Sequence, residues 1–132
     1  MTYREAIETG TRILQKENIA DAKIDAWYLL QMACKIDRNF YYLHGNEVMP
    51  PEKEARFQEW VAARCKRIPL QHLTGEQEFM GLPFMVTPDV LIPRQDTEVL
   101  VEEAIQILKN KMPDAEVLDL CTGSGCIGIS IQ

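Results

Sequence analysis

The segment Val117-Leu118-Asp119-Leu120-Cys121-Thr122-Gly123-Ser124-Gly125-Cys126-Ile127-Gly128-Ile129-Ser130 constrains the fold more than any other. Its apolar run Glu116 to Leu120 reads as a β-strand, two glycines then make a turn, and an apolar helix begins at Cys126. Strand, loop and helix in that order open a parallel α/β sheet. A parallel strand needs neighbours on both edges to satisfy its backbone, yet the sequence stops at Gln132. Residues 93–132 are therefore expected to be the start of a larger, truncated α/β domain.

Upstream, the hydrophobic period is helical. Tyr3, Ala6, Ile7, Ile13 and Leu14 share one face, and a second helix starting after Asp21 carries Ala26, Trp27, Leu30, Ala33 and Cys34. A short aromatic segment from Phe40 to Leu43 ends at Gly45, and Pro50 and Pro51 stand where a helix can begin. Phe57, Trp60, Val61, Arg64, Cys65 and Ile68 then repeat at steps of three and four until Pro69 stops them. The sequence thus predicts an all-helical bundle over 1–73, with Trp27 and Trp60 as core anchors.

After Gly75 the texture changes. Glu76 to Met80 and Leu82 to Val86 predict a β-hairpin around Gly81, with Phe79, Met80, Phe84 and Met85 packing it, inside a linker over 74–92. Asp96 or Thr97 can cap a helix bearing Val99, Leu100, Ala104, Ile105 and Leu108, which ends in Lys109, Asn110 and Lys111 before Pro113. Glu102 and Glu103 read as its solvated face.

The glycine loop admits two ligand readings. As Asp119-x-x-x-Gly123-x-Gly125 it is the nucleoside-binding turn of Rossmann-like methyltransferases, where absent side chains let the backbone lie against a cofactor. As Gly123-x-Gly125-x-x-Gly128 it is the dinucleotide fingerprint of an oxidoreductase, with a pyrophosphate at the helix start. The acid that would hold that dinucleotide's ribose falls roughly twenty residues further on, beyond Gln132. Register favours the first reading, because Cys121 and Thr122 separate the strand from the first glycine and an acid precedes them. A turn that merely packs helix on sheet is the third possibility.

Charge and composition narrow the class. A formal net charge of -6 with scattered Lys and Arg argues against direct nucleic-acid or membrane-surface binding. No signal-peptide-like stretch opens the chain and no uncharged run approaches the ~20 residues of a membrane span, so a cytoplasmic protein is expected. The four cysteines Cys34, Cys65, Cys121 and Cys126 form no CxxC pair, and the two histidines give no zinc spacing, so reduced thiols and no metal are expected. His44 and His72 read as surface or packing residues, lacking a visible nucleophile partner.

Four segments together carry a family resemblance: Pro69-Leu70-Gln71-His72-Leu73-Thr74-Gly75, Glu78-Phe79, Leu91-Ile92-Pro93-Arg94-Gln95-Asp96-Thr97-Glu98, and Asp119-Leu120-Cys121-Thr122-Gly123-Ser124-Gly125. In order and spacing they resemble the HemK-type protein-glutamine methyltransferases, with Leu91 to Glu98 the most specific part. The resemblance implies a helical domain that docks the substrate protein, a hairpin linker, and the start of a Rossmann-like class I methyltransferase domain. It implies methyl transfer from S-adenosyl-L-methionine to the glutamine of the Gly-Gly-Gln motif in peptide chain release factors. Carried over by position, Cys121, Thr122, Gly123, Ser124 and Gly125 would line the cofactor site with Asp119 supporting the loop, and Arg94 and Glu98 are further candidates. Cys121 stands where many methyltransferases have glycine, so the backbone there must tolerate a side chain.

The family's Asn-Pro-Pro-Tyr motif, which holds the glutamine amide, does not occur in these 132 residues. No catalytic residue is therefore expected here, and the chain alone is expected to be inactive. Alternatives are a ribosomal-protein glutamine methyltransferase, the dinucleotide-dependent oxidoreductase, and a free-standing helical interaction module.

Overall fold

The computed structural model describes residues 1–132 and divides into two compact units, Met1–Thr74 and Gly75–Gln132. In the first unit Thr2 opens helix α1 (Tyr3–Lys16). Its hydroxyl accepts from the Glu5 N–H at 3.2 Å, while the Glu5 carboxylate accepts from the Thr2 N–H at 2.8 Å, a reciprocal capping box. That hydrogen bond from the Thr2 backbone, seconded by the Thr2 hydroxyl, holds the Glu5 carboxyl below its usual range.

Helix α2 (Ala22–Cys34) begins directly after Asp21, as the sequence predicts, and ends at Lys35 in a left-handed conformation. The aromatic segment is itself helical: α3 (Arg38–His44) starts where the Asp37 carboxylate accepts from the Phe40 N–H at 2.7 Å. Helix α4 (Pro51–Cys65) has its proline in the first turn, where no N–H is missed. Past Pro69 a short helix, α5 (Leu70–Thr74), completes the unit. Leu14, Leu29, Leu30, Met49 and Phe57 are fully buried at its centre.

One polar pair lies within this apolar packing. Asp25 on α2 is buried, and its carboxylate accepts from Arg64 Nε on α4 at 2.8 Å. Arg64 also donates to the Ile68 carbonyl at 3.3 Å, so the pair ties α2 to the end of α4. Arg67 then reaches back, donating to the Glu17 carbonyl at 2.8 Å just past α1. Two expectations are corrected here. Ile13 faces solvent, because Leu14 and Ala6 already fill that side of α1. Trp27 and Trp60 are only half-buried: the core volume is taken by Phe57 and the leucines, and Trp27 packs edge-on against Tyr41 instead.

In the second unit β1 (Glu76–Phe79) pairs antiparallel with β2 (Leu82–Met85), Glu76 opposite Met85 and Phe79 opposite Leu82. The turn residues Met80 and Gly81 both have positive φ, 51° and 75°, the geometry that matches the strands' twist in a two-residue hairpin. Phe79 and Phe84 meet edge to face at 6.1 Å and pack with Val101 of α6 (Gln95–Lys111) and Cys126 of α7 (Cys126–Ile131). Met85, by contrast, points to solvent.

The predicted strand Glu116 to Leu120 does not form. β1 and β2 bond only to each other, residues 116–120 pair with no strand, and Leu118 and Leu120 stay exposed. The parallel start of a Rossmann-like sheet is therefore not seen; what stands is a mostly helical protein with one antiparallel hairpin. Helix α6 also begins earlier than predicted. It starts at Gln95 with Arg94 at its cap, without a side-chain cap from Asp96 or Thr97. It buries Val101, with Ile105 partly covered, whereas Val99 and Leu100 face solvent, since the hairpin and α7 cover only one narrow stripe.

Candidate functional site

The glycine loop is organised by a single carboxylate. Asp119 Oδ2 accepts from the Thr122 hydroxyl at 2.8 Å and from the Gly128 N–H at 3.1 Å, bridging the loop's first turn to the body of α7. Between these anchors the chain is tightly folded. The Gly125 N–H donates to the Thr122 carbonyl at 3.0 Å, and the Gly125 carbonyl accepts from Ile129 to begin α7. Cys121, Gly123 and Gly125 have φ of 58°, 58° and 81°, so alternate residues of the turn are left-handed. For Gly123 and Gly125 this conformation is free of side-chain cost, but at Cys121 it costs about 1–2 kcal/mol.

Gly128 has a different function. A Cβ there would stand 3.1 Å from Asp119 Oδ2 and 3.3 Å from Asp119 Cβ. A side chain there would push the carboxylate back by a few tenths of an ångström and strain its hydrogen bond to the Gly128 N–H.

Of the sequence-predicted site residues, Asp119, Thr122 and Gly125 line one cleft of about 810 Å³, together with Gly128, Leu108 and Ile129. Cys121 and Gly123 are exposed on the turn and Ser124 is half-buried at its apex. A Cβ on Gly123 would meet nothing within 4 Å, and the Gly123 and Ser124 N–H groups donate to no backbone carbonyl. The other two candidates lie elsewhere in the unit. Arg94 is exposed at the cap of α6. Glu98 accepts from the Met80 N–H at 2.9 Å, tying α6 to the hairpin turn.

All four cysteines are free. Burial pushes the Cys34 and Cys65 thiols up from their usual range, with the Tyr3 hydroxyl raised for the same reason. His44 Nδ1 lies 2.8 Å from the Glu47 carboxylate on the surface, a partner not visible in the sequence pattern. His72 is half-buried and its Nε2 has no hydrogen-bond partner. Sequence reasoning also missed the Asp25–Arg64 pair; an acid inside the apolar stretch of α2 is the one signal that could have exposed it.

Fold and site define a two-unit protein in which a helical bundle precedes a hairpin and a carboxylate-braced glycine turn. Comparison with known proteins gives this class a family. The PrmC N-terminal domain model matches residues 5–75. A release factor glutamine methyltransferase of Geobacter sulfurreducens is 42% identical over 130 residues, covering 98% of this chain and 45% of that protein. Namesakes from Moorella thermoacetica and Koribacter versatilis are 40% and 34% identical over 131 residues, covering 99% of this chain and 46% of each relative. The chain belongs to the HemK/PrmC family and corresponds to its N-terminal part. It spans slightly less than half the length of these curated relatives. No helix in it is long and apolar enough to cross a membrane.

Proposed function

We propose that the full-length protein transfers a methyl group from S-adenosyl-L-methionine to the side-chain amide of the Gly-Gly-Gln glutamine in peptide chain release factors. In this reading Met1–Thr74 is the substrate-recognition domain, the hairpin links it onward, and residues 93–132 begin a Rossmann-like catalytic domain. The observation that carries it is the bracing of the 121–125 turn by Asp119. A turn held open in this way, with unbonded N–H groups at Gly123 and Ser124 and no side chain at Gly123, suits the polar methionine end of such a cofactor. Because Asp119 is already engaged by Thr122 and Gly128, its part is to hold the loop rather than to touch the reacting atoms.

The cofactor supplies an electrophilic methyl on a sulfonium. A glutamine amide nitrogen is a poor nucleophile, its lone pair being delocalised into the carbonyl, so the protein must align it and accept its hydrogens as charge develops. Residues 1–132 contribute the cofactor's half of that geometry and the docking of the substrate protein; the acceptor-holding Asn-Pro-Pro-Tyr motif does not occur among them. The test is methyl transfer from labelled S-adenosylmethionine by full-length protein to a release factor, a ribosomal protein and a Gly-Gly-Gln to Gly-Gly-Ala release factor. Transfer to the first alone supports the proposal. Transfer to the ribosomal protein instead, or calorimetric binding of a dinucleotide in place of S-adenosylmethionine, defeats it. Residues 1–132 alone should transfer nothing.

A further inference from the structure

The helical unit carries a second concave surface, and the glycine loop takes no part in it. A cleft of about 390 Å³ opens between α1, α2 and α3, with Ile24, Trp27, Tyr41 and Tyr42 as its apolar lining. Trp27 and Tyr41 pack edge to face at 5.2 Å to form its floor. The Arg38 guanidinium lies 5.5 Å from the Trp27 ring centroid, a cation–π contact that keeps the charge at the mouth. Lys23 is a second lining cation, and no carboxylate lines the cleft. That local sign runs against the chain's net charge of -6.

The apolar content is equally out of place on a surface. Ile24 is 65% exposed, Tyr42 69%, and the neighbouring Leu43 81%. Contiguous exposed aromatic and aliphatic groups rimmed by charge mark a protein-binding surface, and Trp, Tyr and Arg are the residues that anchor such interfaces. The Trp27–Tyr41 floor is already ordered by its own packing, so little side-chain freedom is lost on binding.

The geometry points to this cleft as a docking site for an acidic segment of the protein substrate, one apolar side chain seating on Trp27 and Tyr41 while flanking carboxylates pair with Lys23 and Arg38. It rests on the release-factor reading above and adds which face of the bundle engages the substrate and what chemistry that face selects. Pairing at the rim makes docking salt-sensitive, whereas the apolar seat is not screened.

The test uses full-length protein and release factor, with the dissociation constant measured by titration calorimetry at low and moderate salt. The K23E/R38E double variant should bind roughly tenfold or more weakly at low salt, with a flattened salt dependence, because like charges then face the acidic segment. Tyr42→Ala, at an exposed position that does not support the core, should bind several-fold more weakly. A K16E/R56E variant, carrying the same charge change on the exposed sides of α1 and α4, should bind as wild type. Equal weakening by both double variants would reduce the effect to net charge and overturn the site, as would wild-type affinity in K23E/R38E or no binding by the wild type. Methyl transfer at saturating release factor is scored separately. Transfer with unchanged affinity in K23E/R38E defeats the docking site alone, and absence of transfer by the wild type defeats the activity while the affinities still judge the cleft.

Discussion

Asp119→Ala is the sharpest perturbation of the glycine loop. It removes the common acceptor of two hydrogen bonds, from the Thr122 hydroxyl at 2.8 Å and the Gly128 N–H at 3.1 Å, and with them the only side-chain link between the turn and α7. A hydrogen bond to a charged group contributes about 1.5–3 kcal/mol, and the exposed Thr122 belongs at or below the low end, so the two together hold the turn by about 2–3 kcal/mol. If the ordered turn is the binding-competent form, its lost population appears directly in affinity, at about 1.4 kcal/mol per tenfold, giving roughly thirty- to hundred-fold weaker S-adenosylmethionine binding. Titration calorimetry on full-length protein measures this. Thr122→Val removes only one of the bonds and should cost roughly tenfold or less. Hydrogen exchange gives a readout that needs no cofactor: the Gly128 amide should lose its protection in Asp119→Ala and keep it in Thr122→Val. Wild-type affinity in Asp119→Ala, with circular dichroism unchanged, would refute the reasoning, because the turn would then be held by something other than this carboxylate.

Asp25→Ala leaves the Arg64 guanidinium without its partner; with side-chain exposures of 10% and 22%, the loss should be about 2–4 kcal/mol, read as a lower urea midpoint. Because the folded-state Glu5 carboxyl is held below its ordinary range, its stabilisation is fully present above the unfolded carboxylate pKa and is lost as pH falls through the depressed folded value. Melting temperature should therefore drop less steeply between about pH 5 and pH 3 in Glu5→Gln than in wild type. Cys121, exposed on the turn, should be the first thiol alkylated at neutral pH, with the buried Cys34 and the half-buried Cys65 slower, their thiols raised by desolvation; peptide mapping by mass spectrometry after brief iodoacetamide treatment decides it.

Where sequence reading succeeded, the governing contacts lie within a few residues. The start of α2 after Asp21 and the hairpin at Met80-Gly81 follow from local backbone rules, whereas α4 ends at Cys65, short of the expected stop at Pro69, and leaves Ile68 outside the helix. Where it failed, the deciding partner was distant or absent. Residues 116–120 have a strand's composition, yet a strand exists only where it pairs with another edge, and β1 and β2 pair only with each other. Trp27 reads as core by period alone, but whether a helix face is interior depends on what lies opposite, and α3 covers it only in part. The site divides in the same way. The glycines and Asp119 are legible as a loop motif, while the tight approach that a side chain at Gly128 would crowd appears only when the carboxylate is seen against it.

The amino-acid sequence by itself determined the helical periods, the breaks between them, and the glycine turn with its leading acid, because these arise from backbone geometry acting over one or two turns of chain. Tertiary structure alone decided that Asp25 meets Arg64 across 39 positions, that Glu98 serves the hairpin turn, and that Lys23 and Arg38 flank an aromatic cleft. Such pairings depend on how the helices pack, and a local hydrophobic pattern records which face is buried but not which residue on another element it will meet.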